Sequence, residues 1–375
     1  MIRNMKSLGI IAEFNPFHEG HEYLIQKAMA DTDADICVVV MSGNFVQRGM
    51  PAVYDKWTRA ADAVNKGVNL VVELPSVYAV NSAEYFAKGG VEILEAFGCL
   101  DYIAFGSESG NLEDMRKAAT FLGAEDDLLK EKIQGLMRQG YSHPKAREMA
   151  VLEMETDFDK DLIKEPNNIL GLEYLKQLKT LTPYTIKRNG EGYHISASKI
   201  RKEMEADTPE RFRQQEENYW HLVASKILQM DVSQLKEIFG ADQGLAHKLK
   251  KEVRYASSAE ELMERLKSKV YTHSRISRML TQILLEIKGD DVEQAVGYIR
   301  VLAFDRKGAK FLKEIKKREC NKLPILTNIN KEAVNYPQIQ KTLEKDILSS
   351  DMYNLISGKN LYKHSDYVVM PYSKL

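Results

Sequence analysis

The sequence predicts an α/β protein: a parallel sheet with crossover helices in residues 1–205, followed by a mainly α-helical second domain in residues 206–375. Three observations predict it. Short β-branched runs alternate with helix-like stretches through the first half. Those runs are apolar almost without alternation, as strands buried on both faces must be. Beyond residue 206 strand signals thin out, and apolar residues recur at helical spacing among Lys and Glu.

The elements follow in order. SLGIIAEF (7–14), DICVVVMS (35–42), NLVVEL (69–74) and DYIAFG (101–106) read as the first four strands. Between them, HEYLIQKAMA, YDKWTRAADAVNKG and NSAEYFAKGGVEILEAFG carry helical patterns, the second with a Gly stop and the third with an Asn or Ser cap. Single helices between strands make βαβ units with right-handed crossovers. After about residue 110 the chain turns helical, until PYTIKR (183–188) supplies a fifth strand ahead of GEGYHISASKIRKEM. No internal repeat or low-complexity segment stands out.

Composition narrows the function classes. At 375 residues, 44% hydrophobic and 29% charged, the chain is long enough for two domains. Cys37, Cys99 and Cys320 lie far apart with no CxxC pair, which argues against a disulfide framework or zinc cluster and fits a reducing cytoplasm. Glu13 cuts the first apolar run too early for a secretory signal, and no stretch reaches the length of a membrane span. The expectation is a cytoplasmic enzyme or binding protein. Net charge is −1, yet residues 241–330 hold 19 Lys and Arg against 12 Asp and Glu, an excess of 7 that leaves −8 to the rest.

EFNPFHEGHEYL (13–24) sits at the end of the first strand, where ligands of open parallel sheets bind. Asn15 and Pro16 break the strand, Gly20 allows close backbone approach, and His18 and His21 open a helix whose free N–H groups favour an anion. Imidazoles three apart share a helix face. A zinc-protease helix needs a second His where Glu22 stands, and neither a dinucleotide GxGxxG nor a phosphate-loop GxxxxGK is present. For the His pair alone, two surface histidines in a capped helix remain an open alternative.

ISASKIR (195–201) is the second motif. Ser196 reads as a helix cap, with Ser198, Lys199 and Arg201 bringing a hydroxyl and cations to the helix start. Taken with His18-Glu19-Gly20-His21, it resembles the signature of the nucleotidylyltransferase superfamily, an HxGH after strand one and an IS(S/T)TxxR. One departure is Ala197-Ser198 where Ser/Thr-Thr is usual. SGNFVQRG (42–49), YDKWTRAADAVNKGVNLVVELP (54–75), FGSE (105–108) and PNNILGLEYL (166–175) extend the likeness. Together they resemble the bacterial tRNA(Met) cytidine acetate ligase family over nearly the whole chain.

The resemblance implies a Rossmann-like nucleotidylyltransferase domain in 1–205 and a helical, tRNA-binding domain in 206–375. It implies a ligase that makes acetyl-adenylate from acetate and ATP, with Mg2+, and then acetylates the wobble cytidine of elongator tRNA(Met). It implies catalytic roles for His18, His21, Ser198 and Arg201. The implied ATP site comprises Ile11, Ala12, Glu13, Phe14, Asn15, Pro16, Phe17, His18, Glu19, Gly20, His21, Glu22, Tyr23, Leu24, Gly106, Asn168 and Arg188, with no protein metal site. Partners would be elongator tRNA(Met), acetate and ATP, without a membrane or an obligate protein.

Read from the residues alone, several of these positions have two meanings. Gly106 is a turn or a rest for a nucleotide. Asn167 and Asn168 after Pro166 cap a helix or bind a ligand. Arg188 is a solvated strand end or a phosphate ligand. Gln47, Arg48 and Lys56 suit the triphosphate or a carboxylate substrate. The basic stretches 248–254, 272–278 and 305–318 suit RNA phosphates or solvated faces. A small-molecule adenylyltransferase explains both motifs equally, and an RNA-binding protein with a relic nucleotide site is the third class.

Overall fold

A computed structural model of the chain describes residues 5–124, 127–188, 197–241 and 243–375. Its centre is an eight-stranded sheet: β1 (Ser7–Ala12), β2 (Ile36–Ser42), β3 (Leu70–Leu74), β4 (Tyr102–Ser107), β5 (Thr182–Lys187), β6 (Ile299–Asp305), β7 (Ile325–Leu326) and β8 (Tyr372–Lys374). The order is β5-β4-β1-β2-β3-β6-β7, with β8 on β6. Strands β1 to β5 pair in parallel, and their order reverses between β1 and β4. A crevice opens at such a reversal, at the carboxyl ends of the strands.

Ten helices matter for the site: α1 (Glu19–Thr32), α2 (Lys56–Asn65), α3 (Ala83–Ala96), α4 (Pro166–Gln177), α5 (Ala197–Asp207), α6 (Pro209–Gln229), α7 (Gln243–Glu252), α8 (His273–Leu284), α9 (Arg306–Arg318) and α10 (Gln340–Ile356). All seven residues of β2 are buried, because both sheet faces are covered. Val38 and Val40 join one apolar cluster, with Leu94 of α3; Val39 and Met41 join the other, with Ile25 of α1 and Ala60 of α2. The continuous apolar runs in the sequence are this two-sided burial.

The second half is mainly helical, yet it also supplies β6, β7 and β8 to the sheet. β6 comes from it and pairs antiparallel with β3, so the sheet crosses the 205/206 boundary. The first cluster crosses it too, running from Val38 and Leu74 into Tyr219, Val223 and Ile276. The physical reason lies in Arg300, which interrupts the apolar run of IRVLAFD and is nonetheless 2% exposed. A charge there is tolerated because Glu73 and Asp366 face it. Among the described residues no helix is long and apolar enough to cross a membrane.

Candidate active site

A cleft of about 650 Å3 lies at the carboxyl ends of β1, β2 and β5. Its floor comes from the turn after β1. Phe14 takes a left-handed φ of 46°, uncommon for a bulky residue, and its buried ring packs against Phe17 at 4.8 Å and His21 at 5.0 Å. That packing fixes the turn. Asn15 then accepts the Val53 N–H at 2.8 Å, and Glu13 accepts the Gln47 N–H at 2.7 Å, tying the loop after β2 to the floor.

The two histidines close the start of α1. Nδ1 of His18 accepts the Gly20 N–H at 3.1 Å, and Nδ1 of His21 accepts the His18 N–H at 3.3 Å, a reciprocal cap. Their rings stack with centroids 3.8 Å apart. Burial, helped by Arg188, Arg201 and Lys66, pushes His18 down to about 4. Burial, then His18, Arg188 and Lys66, hold His21 well below its ordinary value. Both rings are therefore neutral near pH 7. Because each Nδ1 accepts, each neutral ring carries its proton on Nε2, and the pair offers two N–H donors at a helix N-terminus.

Arginines surround the pair. Arg201 reaches the Asn15 carbonyl at 2.6 Å and Ser198 Oγ at 3.1 Å, and Arg188 reaches Asn167 Oδ1 at 3.2 Å. Arg48 lines the cleft and is exposed. Among the described residues none of the three has a carboxylate within ion-pair distance, so their charge stays available to an anion. Burial pushes the Glu13 carboxyl up, against the Gln47 N–H and the pull of Arg59, Arg201 and Arg48. The arrangement is built for a polyanion.

Comparison with known proteins agrees with this chemistry. A family model described as HIGH nucleotidyl transferase matches residues 5–367. The tRNA(Met) cytidine acetate ligase of Halothermothrix orenii is 36% identical, covering 94% of this chain and 95% of its own. That of Clostridium novyi is 36% identical over 98% and 99%, and that of a Thermoanaerobacter species 37% over 94% and 95%. The chain belongs to this ligase family. Among solved structures, Thermotoga maritima TmcAL bound with alpha-thio ATP matches with a TM-score of 0.88 and 28% identity over 99% of this chain and all of that one.

Of the expected site residues, the structure brings Glu13, Asn15, His18, His21, Arg188, Ser198 and Arg201 to one cleft. Ile11, Ala12, Phe14, Pro16, Phe17, Glu19, Gly20, Glu22, Tyr23 and Leu24 do not line it; Ile11, Phe14 and Phe17 are core, and Glu19 and Tyr23 face solvent. Gly106 sits on β4, where an added Cβ would come within 3.2 Å of the Arg188 side chain. Its bareness makes room for that arginine. Asn168 is 3% exposed, its Oδ1 accepting the Ser109 N–H, while Asn167 reaches the cleft. Neither side chain caps α4; Glu108 does, accepting from the backbone N–H groups of Asn167 and Asn168.

Lys56 corrects the expected substrate contact. It is fully buried, bound to Glu73 at 2.7 Å and Asp366 at 2.8 Å, and does not line the cleft. Gln47 contributes its backbone N–H to Glu13. Within ISASKIR, Ile195 and Ser196 lie outside the described residues. Sequence reasoning missed Phe212, Gln215, Glu216 and Tyr219, which line the cleft from α6. No local motif announces them, because they are ordinary residues of a long amphipathic helix.

Proposed function

We propose that the chain is an ATP-dependent tRNA(Met) cytidine acetate ligase, and that it forms acetyl-adenylate before acetylating the wobble cytidine of elongator tRNA(Met). The observation that carries this is the set of unneutralised donors facing one cleft: two neutral imidazoles with Nε2–H outward, the α1 N-terminus, and Arg48, Arg188 and Arg201. Its relatives' common name supplies the acceptor and the acyl donor.

In the first step an acetate oxygen attacks the α-phosphorus, a new P–O bond forms, and the bond to the β-phosphate breaks to release pyrophosphate. No side chain needs to form a bond. The protein's work is positioning and stabilising phosphate charge. His18 and His21 donate from Nε2 without changing protonation state, and Arg201, steadied by Ser198, holds the outer phosphates. In the second step the cytidine N4 attacks the acetyl carbonyl, AMP leaves, and the amine loses a proton. A wobble base in a single-stranded loop enters without opening a duplex.

Among the described residues, magnesium has no dedicated cage in this cleft. The carboxylate on its floor, Glu13, already accepts the Gln47 N–H and faces three arginines. The group with metal-ligand spacing among the described residues, Glu260, Glu264 and His273, does not line the cleft. Glu205 and Glu216 also line the cleft, but among the described residues no three metal-ligand groups converge there, so the cleft does not fit a resident Mg2+ and no step is routed through one.

The test is exchange of labelled pyrophosphate into ATP, with and without acetate, followed by mass spectrometry of tRNA nucleosides. Acetate-dependent exchange and N4-acetylcytidine in tRNA(Met) are expected. Exchange that ignores acetate and depends on a phosphorylated metabolite would return the chain to the small-molecule adenylyltransferases.

A further inference from the structure

Three basic stretches compete to meet the tRNA, and their surroundings separate them. On α7, Lys250 donates to the carbonyls of Ile227 and Leu228, and Lys248 to that of Leu266, so these cations cap helix ends. The α9 cluster starts at the amino-terminal edge of the parallel strands: Lys307 donates to the Asp35 carbonyl and Gly308 packs on Asn69, residues that precede β2 and β3. The cleft is at the other end of those strands. Neither stretch is placed to guide a base into it.

The α8 stretch is different. Gly49, with φ of +80°, leaves no space for a Cβ, which would fall 2.5 Å from Arg278 Cα. Thr281 one turn on donates to the Gly49 carbonyl and meets the Tyr219 hydroxyl at 2.8 Å, and Tyr219 lines the cleft. Thus α8 is locked against the loop that carries Arg48 to the cleft lip. The Arg278 guanidinium is half-buried there with no hydrogen-bond or ion-pair partner among the described residues. Burial and the charge of Arg275 both act against it. An unneutralised, partly desolvated cation is a cost that a bound anion would remove.

We infer that Arg278, whose backbone packs on the Gly49 turn that follows Arg48, binds the RNA backbone phosphate next to the nucleotide whose base enters the cleft. The inference rests on the tRNA ligase reading and adds the place where the strand lies. Arg278 does not line the nucleotide cleft, which assigns it to the polymer rather than to ATP.

The test compares Arg278→Gln with the double change Lys316→Glu and Lys317→Glu on α9, in the full chain. Arg278→Gln should weaken tRNA(Met) binding about three- to tenfold and lower the log-log salt slope by about 0.7–0.9, while acetate-dependent pyrophosphate exchange keeps its wild-type rate. The α9 double mutant should bind tRNA as wild type does. Unchanged affinity and slope in Arg278→Gln overturn the inference, as does loss of exchange in that variant, which would put Arg278 in the nucleotide site or the fold. Absence of acetate-dependent exchange in the wild type would instead sink the ligase reading itself. Arg278→Lys, which keeps the charge, should restore most of the slope.

Discussion

Two regions of this molecule hold buried or half-buried cations, and they treat them in opposite ways. Beneath β3 and β6, Lys56 and Arg300 meet Glu73 and Asp366: Lys56 at 2.7 Å and 2.8 Å, Arg300 at 3.3 Å and 2.8 Å. Two cations face two carboxylates, with burial pushing Glu73 up to about 7 against the pull of Lys56 and Arg300. Burial pulls the Asp366 carboxyl up, but Arg300 and Lys56 outweigh it and hold it low. In the cleft, among the described residues, Arg188 and Arg201 meet only neutral hydrogen-bond acceptors, namely an amide, a backbone carbonyl and a hydroxyl. In the first set each cation faces carboxylates at ion-pair distance; in the second, among the described residues, the cleft arginines have none.

The largest effect should come from breaking the matched set. Lys56→Met leaves two carboxylates facing one guanidinium in a dry interior and should cost about 3–5 kcal/mol of stability in urea unfolding. Exchange activity per folded molecule should persist. A stable but inactive Lys56→Met protein would erase the distinction between the two regions.

Next is the unmatched set. His21→Ala removes one preorganised Nε2–H donor and should lower acetate-dependent exchange about 10²–10³-fold. The capping bond to the His18 N–H goes too, at about 1 kcal/mol, so the melting point should fall only slightly. Wild-type turnover in this variant would remove the histidine pair from the chemistry. Arg201→Ala follows with a smaller loss, about tenfold in ATP affinity by calorimetry with AMP less affected, and Ser198→Ala with a weaker version of the same defect. Equal losses for both nucleotides would move Arg201 away from the outer phosphates.

The same contrast explains what could be read in advance. β1 to β5 were legible because two-sided burial writes itself as unbroken apolar runs, and the HEGH turn was legible because the capping imidazoles and the glycine are adjacent in sequence. Lys56 was not: at the start of a helix, a lysine looks like a phosphate ligand, and its partners Glu73 and Asp366 stand 17 and 310 positions away. β6 stayed hidden for the same reason, since Arg300 is neutralised by those same remote carboxylates. The α6 wall of the cleft depends on helix docking alone, with Arg211 donating to the Val53 carbonyl. Motifs report groups that act locally; charge pairing across the fold leaves no local mark.

The smallest expected effect concerns pH. His18 has its folded pKa lowered to about 4 against an ordinary 6.5, with burial the leading cause. Above pH 6.5 the ring is neutral in both folded and unfolded chains and adds no pH dependence. Between 6.5 and about 4 the unfolded chain takes up a proton that the folded chain refuses, so stability falls as pH drops through that window, and His21 adds in the same direction. His18 remains partly open to solvent, so water screens its share and the fall should be modest. Proton NMR of the ring Cε1–H checks this directly: the His18 midpoint should lie near 4 in the free protein and rise when ATP is bound, because phosphate favours the charged ring. A free-protein midpoint near 6.5 would mean that the ring is solvated and not held as a neutral donor, and the cleft histidines would then belong with ordinary surface groups.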